Sequence, residues 1–181
     1  SPDGERIAFN SNRDSRRHNF YVLEPDGQIR RLTDNPEGDW SPEWSPDGEQ
    51  IAWVSDGSIA TIDPGDLDTL EDLTGPGYSW PQWSPDGSMI ALWRGDFGME
   101  WWQPFVMNAD GSNLRPLSDG MYYFPRVLHP GHNPLHQWSP DGEVIAITDH
   151  MGDIYGENSE VLLVPVNGDP LVQFTESPFN D

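Results

Sequence analysis

The chain has 181 residues, enough for one ordinary domain, and only 35% of them are apolar. It carries 31 acidic residues and nine cations, a net charge of −22, and no cysteine. This excludes a disulfide framework, thiolate metal sites and cysteine nucleophiles, and it disfavours nucleic acid and anionic membrane surfaces, which need clustered cations.

Every cation is an arginine. Such acidity fits a well-hydrated surface, tolerance of high salt through screening, or carboxylate ligation of a divalent cation such as calcium. No run of 18 apolar residues exists, so no membrane insertion is expected.

From the first residue onward one phrase recurs. Ser-Pro-Asp-Gly stands at Ser1–Gly4, Ser45–Gly48, Ser84–Gly87 and Ser139–Gly142, at spacings of 44, 39 and 55 residues. A period of this length marks a repeat architecture. The phrase is turn chemistry: proline presets φ, aspartate caps the turn, and glycine takes the left-handed position. In the last three copies a strand ending in Trp44, Trp83 or Trp138 leads into the turn. An Ile-Ala-apolar triple follows each copy: Ile7–Phe9, Ile51–Trp53, Ile90–Leu92 and Ile145–Ile147. Turn and flanking runs predict a β-hairpin.

A third strand is predicted at Phe20–Leu23, Ile59–Ile62, Pro104–Met107 and Val161–Val164. A fourth, more polar strand is predicted at Arg30–Thr33, Glu71–Thr74, Leu114–Ser118 and Val172–Thr175. Pro116 fits an edge position, because proline cannot donate to an inner ladder. No segment shows sustained helical periodicity. Four antiparallel strands per 40–50 residues predict an all-β fold, a β-propeller of about four blades. The approximate blades are 1–38, 39–78, 79–119 and 134–181, with an insertion at 120–133.

The first blade lacks its inner strand, so the count predicts about fifteen strands and an open ring. Three explanations stand side by side. The chain is an excerpt of a longer propeller, it self-associates through the open blade edge, or it closes as a four-bladed ring.

Two departures from the repeat are candidate sites. In the insertion, His129, His132 and His136 with Gln137 form a candidate metal set for a divalent cation such as Ca, Mn or Zn. The alternative reading is a long loop packed by histidine hydrogen bonds. Trp101 and Trp102 fall in the loop between the second and third strands of the third blade, and Tyr122 and Tyr123 in the connection after it. With Arg126 they form a candidate partner-binding group, or else a small core beneath two long loops. No Gly-x-Ser-x-Gly elbow or phosphate-binding glycine loop is present.

Trp44–Trp53, Phe105–Ser112 and Arg30–Thr33 resemble the repeat units of TolB-type, WD-repeat-like β-propellers. The resemblance implies a periplasmic or extracellular location and a non-catalytic binding or scaffold module for a protein or glycan partner. Oligogalacturonate lyases, propellers with similar blades and a histidine-held metal, supply a second expectation: a metal-dependent carbohydrate-active enzyme. A third is a self-assembling extracellular subunit.

Overall fold

Short apolar runs, each closed by a Pro-Asp-Gly or Asn-Gly turn, leave the backbone one economical way to pair its polar groups: with the run next to it. The computed structural model describes residues 1–95, 101–120, 122–123, 136–149 and 160–175. Among them every regular element is a strand. β1 (Ile7–Ser11), β2 (Asn19–Leu23) and β3 (Ile29–Arg31) form one sheet. β4 (Asp39–Trp44), β5 (Ile51–Ser55), β6 (Ser58–Asp63) and β7 (Asp66–Asp72) form the second. The third contains β8 (Tyr78–Trp83), β9 (Met89–Arg94), β10 (Trp101–Asn108) and β11 (Arg115–Pro116), with β12 (Tyr122–Tyr123) paired to the start of β10. The fourth contains β13 (His136–Trp138), β14 (Val144–Asp149), β15 (Glu160–Pro165) and β16 (Val172–Gln173). Each is an antiparallel meander in chain order, the blade pattern read from the repeats. Pro116 lies on an edge strand, and β7 is exposed along its whole length, as an outer strand should be.

Three apolar clusters join consecutive sheets. Ile51 and Trp53 pack toward the first sheet, whereas Ala52 and Val54 pack toward the third. The alternation follows from the two-residue period of a strand. It also explains the alanine of the Ile-Ala triple. Ala52 shares a cluster with Trp83, and Ala91 shares one with Trp138, so the small residue makes room for the next blade's tryptophan. That tryptophan also hydrogen-bonds backward. Trp83 Nε1 donates to the Glu43 carbonyl at 3.3 Å, and Trp138 Nε1 donates to the Gln82 carbonyl at 3.1 Å. At these two junctions one residue type therefore fills the interface and ties one blade to the next, whereas Trp44 Nε1 has no hydrogen-bond partner among the described residues.

The outer Leu-Thr pairs, Phe-Thr in the fourth blade, have a similar logic. Thr33, Thr74 and Thr175 each accept, through Oγ1, the N–H that opens the third strand of their blade, at 3.0, 2.9 and 2.8 Å. In the third blade Pro104 holds that position and has no N–H. Ser118 there bonds Tyr122 instead, at 2.9 Å between hydroxyl oxygens.

The Ser-Pro-Asp-Gly turns are nearly identical. In the second, Ser45 Oγ donates to Asp47 Oδ1 at 2.6 Å and accepts the Gln50 N–H at 2.9 Å, while the Gly48 N–H closes on the Ser45 carbonyl at 2.9 Å. Gly48 sits at φ 74°, where a side chain would be strained. The serine hydroxyl first, and a backbone N–H second, hold Asp47, Asp86 and Asp141 below the ordinary carboxylate range. A depressed folded pKa contributes stability above the unfolded pKa and loses it as pH falls through the folded value. The melting temperature is therefore expected to fall on acidification below the ordinary carboxylate range. A Ser45→Ala, Ser84→Ala double variant should show a shallower fall in the same pH series. An equal slope in the two proteins would refute this account.

Candidate partner-binding cleft

The inner strands β4 and β8 are irregular near their starts. Pairing between β4 and β5 slips between Trp40 and Glu43, and pairing between β8 and β9 slips between Ser79 and Gln82. The residues in the slips are Ser41-Pro42 and Trp80-Pro81, the same repeat position in two blades. Proline cannot donate to the ladder, so a bulge is its natural place. Ser41 at φ 55° and Trp80 at φ 53° adopt the left-handed conformation. For a side chain this costs about 1–3 kcal/mol, and such strain persists only where the surroundings enforce it.

The bulges turn these residues toward a cavity of about 630 Å³. Glu37, Gly38, Trp40 and Ser41 form one side. Val54, Asp56 and Gly57, around the β5–β6 turn, and Ser79 and Trp80 of β8 form the rest. Asp56 is a third left-handed residue, at φ 49°. The frame is tied down by backbone bonds. Gly77 and Tyr78 donate to the Gly57 carbonyl at 2.9 and 3.0 Å, and Asp39 donates to the His18 carbonyl at 2.8 Å.

Aromatic residues supply the walls. Trp40 is 42% exposed, and the His18 ring packs against it with centroids 4.6 Å apart. Trp80 meets Trp102 edge-on at 4.6 Å. Below Trp40 lies fully buried Asp39, which accepts from Trp53 Nε1 and Asn35 Nδ2, each at 3.1 Å, and from the Thr33 hydroxyl. Glu37 and Asp56 are exposed and make no ion pair among the described residues. The Ser79 hydroxyl is buried with no hydrogen-bond partner among the described residues.

The residues singled out from sequence are placed differently. Trp101 and Trp102 lie in β10, not in a loop, and pair with Tyr123 and Tyr122 of β12. The two aromatic groups thus meet as a ribbon that extends the third blade. Trp102 and Tyr122 are buried in the cluster between the third and fourth sheets, so neither presents an open stacking face. A Cβ on Gly95 would stand 2.4 Å from the Trp102 ring, so the indole occupies space that only glycine leaves. Arg126, His129 and His132 lie outside the described residues.

His136 and Gln137 lie in β13. His136 Nδ1 accepts the Trp93 indole N–H at 3.0 Å, which assigns the proton to Nε2 in the neutral ring. Metal ligation through Nδ1 would require breaking that bond. Gln137 takes the repeat position of Glu43 and Gln82, on the innermost strands. Although Glu43 keeps contact with solvent, the surrounding protein desolvates its carboxyl and raises its pKa. Among the described residues no group of three histidines or carboxylates stands in metal-ligating geometry.

The sheet order and spacing match solved propellers. A TolB of Acinetobacter baumannii superposes with a TM-score of 0.69 at 19% identity, over 97% of this chain and 42% of that one. A TolB-type protein of Agrobacterium tumefaciens superposes at 0.70 and 24% identity, over 97% and 63%. The chain has the fold of a TolB-like β-propeller. A more distant match to this TolB-like propeller is a chain of a nidogen/laminin complex, at a TM-score of 0.66 and 12% identity, over 96% and 61%. In sequence it is 34% identical over 148 residues to an uncharacterized protein of Agrobacterium fabrum, Atu1656, covering 81% of this chain. It is 37% identical over 73 residues to an uncharacterized peptidase of Bacillus subtilis, YuxL, covering 40% of this chain. The chain spans 36% and 10% of the lengths of these two relatives. It matches no protein-family model.

The cleft residues Glu37, Trp40, Asp56 and Trp80 were not evident in the repeat reading. One sequence signal was available: a proline two residues before the inner-strand tryptophan, at Pro42 and Pro81, marks a bulge and hence a re-aimed neighbour.

Proposed function

We propose that this TolB-like propeller is a non-catalytic binding or scaffold module that engages a protein partner through the cleft between its second and third blades. One observation carries the reading: two strained left-handed residues, Ser41 and Trp80, converge with the Asp56-Gly57 turn on a single cavity of about 630 Å³. Strain gathered at one concave site, on a rigid scaffold, is the usual mark of a recognition surface. The volume lies within the roughly 300–1,000 Å³ of ordinary ligand pockets. A periplasmic location is the one the TolB resemblance supports. A protein partner accords with the nidogen/laminin neighbour, which is a propeller in a protein complex.

Crosslinking tests this. Photo-crosslinking residues placed at Glu37 and Trp40 should capture a protein from a cell-envelope extract. Equivalent residues at Asp68 on the outer strand β7 should not. Capture confined to β7, or none at any position, would refute the reading.

A further inference from the structure

We infer that the cleft recognises a basic side chain, an arginine above all, presented by the protein partner. The inference rests on the binding-module reading and names the chemistry its site selects. The charged groups on the wall, Glu37 and Asp56, are hydrogen-bond acceptors only. Neither is neutralised by an ion pair among the described residues. The neighbouring cations Arg16 and Arg17 line a different crevice, with Asp34 and Asn35.

A guanidinium is the complement of such a wall. It donates five N–H groups, accepts none, and is planar enough to lie on an indole. Trp40 offers that surface, held by His18. Cation–π attraction is strongest at tryptophan, and it grows when the cation is partly desolvated. Ser79 also lines the cavity, but its hydroxyl is buried beneath the wall, so the two carboxylates and the Trp40 ring are the groups a ligand meets. Long-range electrostatics act in the same direction. A net charge of −22 gives a negative surface potential that concentrates cations at a low-dielectric cleft. A neutral sugar also stacks on tryptophan, but it gains nothing from that field.

The test uses N-acetylarginine amide as probe, read by tryptophan fluorescence and calorimetry on the intact chain. N-acetylcitrulline amide is the uncharged isostere, and maltotriose is the neutral sugar. The arginine probe should bind about tenfold or more tighter than the citrulline probe, the loss expected when a charge-assisted bond is removed. Its binding should weaken as salt rises. Asp56→Asn and Glu37→Gln should each weaken it about tenfold. Both carboxylates are exposed, and asparagine tolerates the left-handed conformation of position 56, so these variants keep the wild-type melting temperature. Trp40→Ala should remove the fluorescence change.

Equal affinity for citrulline, preference for maltotriose, or arginine binding insensitive to Asp56→Asn would each overturn the inference. Loss of arginine binding with crosslinks still at Glu37 and Trp40 defeats this inference and leaves the binding-module reading standing. Arginine binding without any partner crosslink defeats that reading instead.

Discussion

Trp53→Ala should be the most damaging single substitution in this propeller, lowering stability by about 3–5 kcal/mol. Trp53 is wholly buried between the first and second sheets, in the cluster with Phe20, Val22, Ile51 and Ile62. Phe20 meets it edge-on at 5.4 Å. Truncation removes the apolar burial of an indole and leaves a cavity that paired strands cannot close, because their hydrogen bonds hold the sheets in place. It also removes the N–H that Asp39 accepts at 3.1 Å. Urea denaturation followed by far-UV circular dichroism measures the loss. A cost below about 1 kcal/mol, the scale of a surface change, would refute the placement of Trp53.

Asp39→Ala should come next, at about 3 kcal/mol, the scale on which stranded buried donors act. Asp39 is fully buried at the start of β4 and receives three donors: the Trp53 indole, the Asn35 amide and the Thr33 hydroxyl. Thr33 in turn accepts the Phe20 N–H at 3.0 Å, so the network reaches across to β2. Alanine strands the Trp53 indole N–H and the Thr33 hydroxyl proton in a region water cannot easily enter, while the Asn35 amide keeps the Gly38 carbonyl and the Ser55 hydroxyl. Asp39→Asn keeps one acceptor oxygen and should cost less. A double-mutant cycle with Trp53→Phe isolates the indole bond, and a coupling of about 0.5–3 kcal/mol is expected for groups in direct contact. Zero coupling would mean the indole bond contributes nothing to folding. Because Asp39 adjoins Trp40, Asp39→Ala should also weaken arginine-probe binding by loosening the cleft wall.

The two substitutions act at one junction, where the blade-to-blade interface meets the cleft. Stability and recognition are therefore coupled there. The buried network holds β4 so that its bulge presents Trp40 and Ser41 to the cavity.

The repeating phrase alone determined the fold class. Ser-Pro-Asp-Gly and the Ile-Ala triple each encode a local geometry: a turn and the strand that leaves it. Local rules repeated at a fixed period leave little freedom in topology, so the antiparallel meanders and edge Pro116 were legible in the sequence. The reason Trp83 and Trp138 precede their turns was not legible, because the hydrogen bond of each runs to a carbonyl 40 or 56 residues away. Nor was the fate of Trp102 and Tyr122, since aromatic residues in a connection read alike whether they face solvent or a core. Pairing of β10 with β12 decided that, by folding both groups onto the third blade's interface. The cleft was hidden for a different reason. Its residues lie in two successive blades, and the Pro-x-Trp pattern at Pro42 and Pro81 marks the bulges without saying what they face. Only the bulges, which slip the register at Pro42 and Pro81, swing Ser41 and Trp80 toward the turn that carries Asp56. Sequence period specifies what each blade is. The packing of one blade on the next decides which side chains meet, because strand pairing is local and the spaces between sheets are not.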